Sequence, residues 1–154
     1  MKRWITFLCA ALALAFLGIF RPEGTSFDQI EPVEAIFLSR ARNSVTIMTD
    51  TGASGTGKSL AEAAENLRAA ASGEIFLETA DYCLFTAESV DFLSDLPRIL
   101  RPGCKLVLCK GADLTDAAAY LSVHEPEFTL LCYQIGYRDY PTLTAEERGF
   151  ALAS

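Results

Sequence analysis

The stretch from Ser44 to Leu67, SVTIMTDTGASGTGKSLAEAAENL, constrains the fold more than any other part of the chain. Val45 to Met48 is β-like, a glycine-rich segment follows, and an amphipathic helix begins after it. Two mechanisms compete for the same side chains. Gly52 to Ser59 satisfies the phosphate-loop pattern G-x-x-x-x-G-K-[ST], with a strand before and a helix after, as that motif requires. In that reading backbone N–H groups around Gly52 and Gly57 cradle phosphates, Lys58 reaches the outer phosphates, and Ser59 holds Mg²⁺. Ser59-Leu60-Ala61-Glu62 is also a capping box, S-x-x-E, ahead of an apolar-periodic run. There Ser59 bonds a backbone N–H, and the glycines form a turn out of a strand.

The rest of the chain favours the cap. A phosphate loop works with an acid that ends an apolar strand and holds magnesium. The best apolar strand, Lys105 to Cys109, is followed by Lys110. Glu78 and Asp81 do not follow a four-residue apolar run. The first two strands also look like a hairpin, where a nucleotide-binding core wants parallel neighbours. The expectation is therefore a non-enzymatic domain with no cofactor and no metal, and a nucleotide-binding phosphate loop at Gly52, Gly57, Lys58 and Ser59 is the alternative.

The chain has 154 residues and a formal net charge of −7. That length supports one domain with a real core. The acidic balance repels a phosphate backbone, so nucleic acid is not an expected partner. Met1-Lys2-Arg3 precedes a run without charge from Trp4 to Phe20, closed by Arg21-Pro22-Glu23-Gly24. This is the pattern of a signal anchor, with cleavage at Ala11-Leu12-Ala13 or Ala13-Leu14-Ala15 as the other outcome. The chain divides into a leader, 1–24, and a single α/β domain, 25–154. The positive-inside rule puts Lys2 and Arg3 in the cytoplasm and the domain on the extracytoplasmic side, membrane-bound through residues 4–20 or secreted.

Along the domain, Glu34 to Arg40 and Val45 to Met48 read as an antiparallel hairpin around Ala41-Arg42-Asn43. Leu60 to Ala71 is a helix whose buried face is Leu60, Ala63, Ala64, Leu67, Ala70 and Ala71, with Gly73 as its C-cap. Tyr82 to Phe85 is a central strand. Ser89 caps a second helix with Val90, Leu93, Leu96, Ile99 and Leu100 inside, interrupted at Pro97. Lys105 to Cys109 is the fourth strand. Asp113 or Thr115 opens a third helix with Leu114, Ala117, Ala118 and Leu121 inward, stopped by Pro126. Phe128 to Gln134 is a fifth strand, and the box Thr144 to Glu147 starts a last helix ending at Phe150-Ala151-Leu152. The order is β-β-α-β-α-β-α-β-α, an α/β (α+β) fold with a mixed sheet packed by three to four helices. Leu67, Leu84, Val107 and Leu121 are expected to be buried against one another.

Other chemistry is thinner. Cys83, Cys104, Cys109 and Cys132 lie in or beside apolar runs without metal-ligand spacing, which makes them core thiols first and disulfide partners second. His124, the one histidine, sits at a helix end, where it complements the dipole. Asp81, Glu88, Asp91 and Asp95 read as a solvated edge.

With these elements in order, a resemblance is visible. Phe27 to Ile36, FDQIEPVEAI, is similar to the opening W-D-x-x-E-I-E-D-x-A of the Ger(x)C family, the C subunits of spore nutrient-germinant receptors. Gly55 to Ala63, GTGKSLAEA, resembles that family's G-x-G-x-[ST]-x-x-E-A; Ala80 to Ser89 resembles its third-strand motif, with Asp81 near the family's histidine; Leu100 to Ala112 resembles its R-D-P … V-x-V-A-K-G-x-A run. The likeness covers about residues 27–122, the family's N-terminal domain. It implies an exported, membrane-associated role in spore germination through contacts with germinant-receptor membrane subunits. Members are lipoproteins, whereas Cys9 here lies inside the apolar run behind Phe7-Leu8.

Overall fold

The computed structural model describes residues 30–110, 114–146 and 149–153. The leader, the linker at 24–29, Asp113 and Glu147 lie outside them. Among the described residues no helix is long and apolar enough to cross a membrane.

The hairpin comes first. β2, Ala35–Ala41, and β3, Ser44–Thr49, pair antiparallel from Ile36↔Thr49 to Ala41↔Ser44. Arg42 takes the turn with φ of 55°, the left-handed geometry that a two-residue hairpin turn needs. A short strand before it, β1, Ile30–Pro32, pairs parallel with β5, Glu74–Phe76, as a separate two-stranded sheet. The glycine stretch is itself a strand: β4, Ser54–Gly57, lies antiparallel on β3 with Val45↔Gly57 and Ile47↔Gly55 in register. α1, Leu60–Ala70, then crosses over to β6, Tyr82–Phe85, which runs parallel to β2 and is buried at every position. β7, Lys105–Lys110, continues the parallel set. α2, Leu114–Val123, and α3, Leu130–Gln134, precede β8, Thr142–Glu146, parallel to β7, and β9, Gly149–Ala153, antiparallel to β8. The seven-stranded sheet has the order β4-β3-β2-β6-β7-β8-β9.

Alternation along the central strands builds two cores. Ile36 and Leu38 of β2, Cys83 and Phe85 of β6, and Leu106 of β7 join Leu60 and Leu67 of α1 in one cluster. Ala35, Tyr82, Leu84, Val107 and Cys109 belong to a second, with Ala117 and Leu121 of α2. Successive side chains on a strand point to opposite faces, so these clusters lie on the two sides of the sheet. Leu67, Leu84, Val107 and Leu121 are each fully buried, as expected, but Leu67 packs on the face opposite the other three.

Five expectations are corrected. The second helix is a 3-10 segment, Ala87–Arg98, in which Val90, Leu93 and Leu96 recur every third residue, the period of three per turn, with Pro97 near its end. Its cap is Thr86, and Ser89 is buried, its hydroxyl donating to the Leu38 carbonyl at 3.0 Å. Phe128 to Gln134 is an isolated bridge at Thr129 followed by α3, because Thr129 caps a helix there. The last element is the β8–β9 hairpin: Leu143 is buried across from Leu152, and the alternation Thr142-Leu143-Thr144 outweighs the capping signal at Thr144. α1 ends with Ala71 extended as its C-cap, two residues ahead of Gly73.

Candidate functional site

The glycine stretch has a packing role. A Cβ at Gly55 would fall 2.3 Å from both the Ala63 carbonyl and the Leu67 backbone nitrogen, and one at Gly57 would fall 2.5 Å from the Ala63 nitrogen. Only bare backbone lets α1 lie directly on β4. Gly52, at φ 90°, supplies the turn between β3 and β4. Ser59 is the N-cap of α1, accepting from the Glu62 N–H at 3.3 Å, and the Glu62 carboxylate accepts from the Lys58 N–H at 2.8 Å. The Lys58 side chain is exposed. Gly52, Gly57, Lys58 and Ser59 thus lie along the β3–β4 hairpin and the cap of α1.

The remaining candidates stand apart from one another. Asp81 pairs with Arg101, Asp91 with Arg40 at 3.0 Å, and Asp95 with Arg98 at 3.6 Å. The Glu88 carboxyl is held below the usual carboxylate range by its own backbone N–H and by Thr86. His124 stacks on Tyr120, with ring centroids 4.3 Å apart, at the end of α2. Among the described residues no cluster of His, Cys, Asp and Glu could hold a metal ion. Cys83, Cys104, Cys109 and Cys132 form no disulfide among the described residues, and the first three are buried. Burial pushes Cys104 up to about 12 and raises Cys83 well above its ordinary value. Both stay protonated and unreactive.

A concave feature with chemical character lies elsewhere. The backbone leaves the edge of β7 where Leu106 N–H donates to the Phe128 carbonyl at 2.9 Å. It returns where Leu108 N–H donates to the Pro141 carbonyl at 2.9 Å. Residues 128–141 are therefore an excursion that leaves and rejoins one strand two residues apart. α3 is its outer wall, tied down by Leu130 N–H to the Cys104 carbonyl at 2.7 Å and Leu131 N–H to the Pro102 carbonyl at 3.0 Å. Gly136, at φ 108°, turns the chain out of α3. Tyr140 pins the return limb, edge-on to Phe85 at 5.1 Å and to Phe128 at 5.2 Å. Its hydroxyl is enclosed with no hydrogen-bond partner among the described residues.

Between the two limbs and β9 is an open cleft of about 550 Å³, within the size range of binding pockets. Pro126, Phe128, Tyr137, Pro141 and Leu152 make its walls apolar; Glu125, Glu127 and Asp139 add carboxylates. Glu125 is paired with Lys105. Arg138 is turned away, its guanidinium 4.2 Å over the Tyr133 ring and donating to the Tyr133 and Tyr137 carbonyls. Glu127 and Asp139 have no side-chain partner among the described residues. Cys132 also lines the cleft, and its thiol is held below the ordinary value by hydrogen bonds from Thr129.

Next to the cleft the surface is unusually apolar. Leu131 is 51% exposed, Ile135 67% and Tyr137 60%, all within one seven-residue stretch, and Val123 at the end of α2 is 76% exposed. The sequence pattern that marks this region is the punctuation Pro126, Gly136 and Pro141 around apolar residues. Read as a strand, it hides the exposed side of α3.

Comparison with family models, with curated proteins and with solved structures finds no match to this chain.

Proposed function

We infer that the protein is a non-enzymatic, exported and membrane-associated domain, similar to the N-terminal domain of spore germinant-receptor C subunits, that works through protein–protein contacts. The observation that carries the reading is the structural use of the motif GTGKSLAEA. Gly55 and Gly57 admit the backbone of α1, Ser59 and Glu62 cap it, and Ala63 is the close contact. This stretch of the resemblance thus consists of residues that the packing of α1 uses, which supports a reading of the motif without a nucleotide. The exposed apolar stretch at Leu131, Ile135 and Tyr137 supports a contact role, since solitary soluble domains rarely leave such side chains grouped. In this reading the chain meets the membrane through the apolar run Trp4 to Phe20, and its protein partner is a germinant-receptor membrane subunit.

The test is expression of the tagged full chain in a spore-forming bacterium. The expected result is recovery with membranes, digestion of the domain by protease added outside, and co-purification of a polytopic membrane subunit after detergent extraction. Recovery in the cytosolic fraction would overturn the reading.

A further inference from the structure

We propose that the cleft between Phe128 and Pro141 is a docking site for a basic segment of a partner protein, one in which Lys or Arg residues alternate with apolar side chains. The proposal rests on the protein–protein reading above and adds where the partner binds and what chemistry it presents.

Charge selects the occupant. The rim carries Glu127 and Asp139 without partners among the described residues, and the cation beside them, Arg138, is committed to Tyr133 and its neighbours' carbonyls. An anionic lipid surface or a nucleic acid would meet like charge here, in a chain already at −7. A second copy of this acidic domain would meet the same repulsion. A basic segment neutralises both carboxylates.

The walls select the rest. Phe128, Tyr137 and Leu152 offer an apolar floor to side chains between the cations. Leu131 and Ile135 are exposed on the same excursion, outside the residues that line the cleft. A small amine would neutralise the rim and fill the floor, but would leave Leu131 and Ile135 in water. A peptide segment covers them. Tyr137 has an attribute of an interface anchor, a large amphipathic ring that lines the cleft and stays 60% exposed.

Cys132 gives the readout. It lines the cleft, and the other cysteines of the described residues are buried. The full chain in detergent is alkylated with a maleimide, and the modification is assigned to each cysteine by mass spectrometry. The probe is a synthetic peptide of alternating Lys and Leu or Phe residues. Comparators are the same peptide with Glu for Lys, a Lys–Ser peptide and phenethylamine. The expected result is slowed alkylation of Cys132 by the Lys–Leu/Phe peptide alone. The double variant Glu127→Gln, Asp139→Asn should need about tenfold more peptide for half-protection, as for loss of rim charges that steer a complementary partner. Tyr137→Ser should weaken protection with the carboxylates intact. Equal protection by the Glu peptide, equal protection by phenethylamine, full protection in the double variant, or no protection by any probe would each overturn the proposal. Membrane residence does not depend on Glu127 or Asp139, so the fractionation above tests the broader reading independently.

Discussion

The sheet end formed by β2, β3, β4 and α1 and the excursion between residues 128 and 141 handle apolar surface in opposite ways. At the first, glycine replaces side chains so that helix and strand touch backbone to backbone, and Leu60, Ala63, Ala64 and Leu67 are all buried. At the second, one short helix of five residues keeps Leu130 inside and leaves Leu131 and Ile135 outside. The excursion is held by a few backbone bonds to Pro102, Cys104 and the edge of β7, and by the ring of Tyr140. The difference separates a scaffold from a face available for contact. A motif with a chemical reputation serves the scaffold; residues without any motif form the face.

Substitutions can break this contrast, beginning with the largest effects. Leu67→Ala and Leu84→Ala remove fully buried side chains from opposite cores, and each is expected to cost about 2–5 kcal/mol in denaturant unfolding. Because the two sites lie on different sides of the sheet, their costs should add in the double variant. Strong non-additivity would mean the two cores are one. Gly55→Ala is expected to cost about 1–3 kcal/mol, since the added methyl meets backbone and nothing flexible can yield. A neutral result would show that α1 does not lie so close on β4.

Ser59→Ala should cost about 0.5–2 kcal/mol through the lost cap, while Lys58→Ala should stay within about 0.5 kcal/mol. The melting temperature should not move with millimolar Mg-ATP or Mg-GTP. A nucleotide-dependent rise that vanishes in Lys58→Ala would return the stretch to phosphate binding. The smallest effect belongs to the excursion. Tyr140→Phe removes a hydroxyl enclosed without a partner and keeps the ring contacts, so unfolding should show no loss of stability or a gain of about 1 kcal/mol. A clear loss would reveal a partner for that hydroxyl.

The contrast also explains what the sequence makes legible. α1 is readable because its apolar residues recur at helical spacing and Ser59 and Glu62 announce its start. The β2–β3 hairpin and strands β6 and β7 are readable because local pattern and tertiary burial agree there. The 3-10 segment carries its own signal, Val90, Leu93, Leu96 and Ile99 at intervals of three, but that period sits close enough to the α-helical one to be taken for it. Thr144 to Glu147 has a capping box, yet Leu143 is buried against the second core and the strand prevails. That burial depends on β7 being next to it, which no local window contains. The cleft is the least legible part. It exists because β7 donates its Leu106 and Leu108 N–H groups to the carbonyls of two separate segments, at Phe128 and Pro141, and its carboxylates matter because Arg138 turns toward Tyr133.

The most direct measurement is recovery of the proposed germinant-receptor membrane subunit by tagged chains that differ in one region only. Each variant would be checked for an unchanged unfolding curve before detergent extraction and affinity purification. The double variant Ile135→Ser, Tyr137→Ser alters exposed side chains of the excursion, and Lys58→Ala alters an exposed side chain of the glycine stretch. Recovery of that subunit is expected to be lost with Ile135→Ser, Tyr137→Ser and retained with Lys58→Ala. Retention in the first and loss in the second would contradict this expectation, and would place function on the glycine stretch.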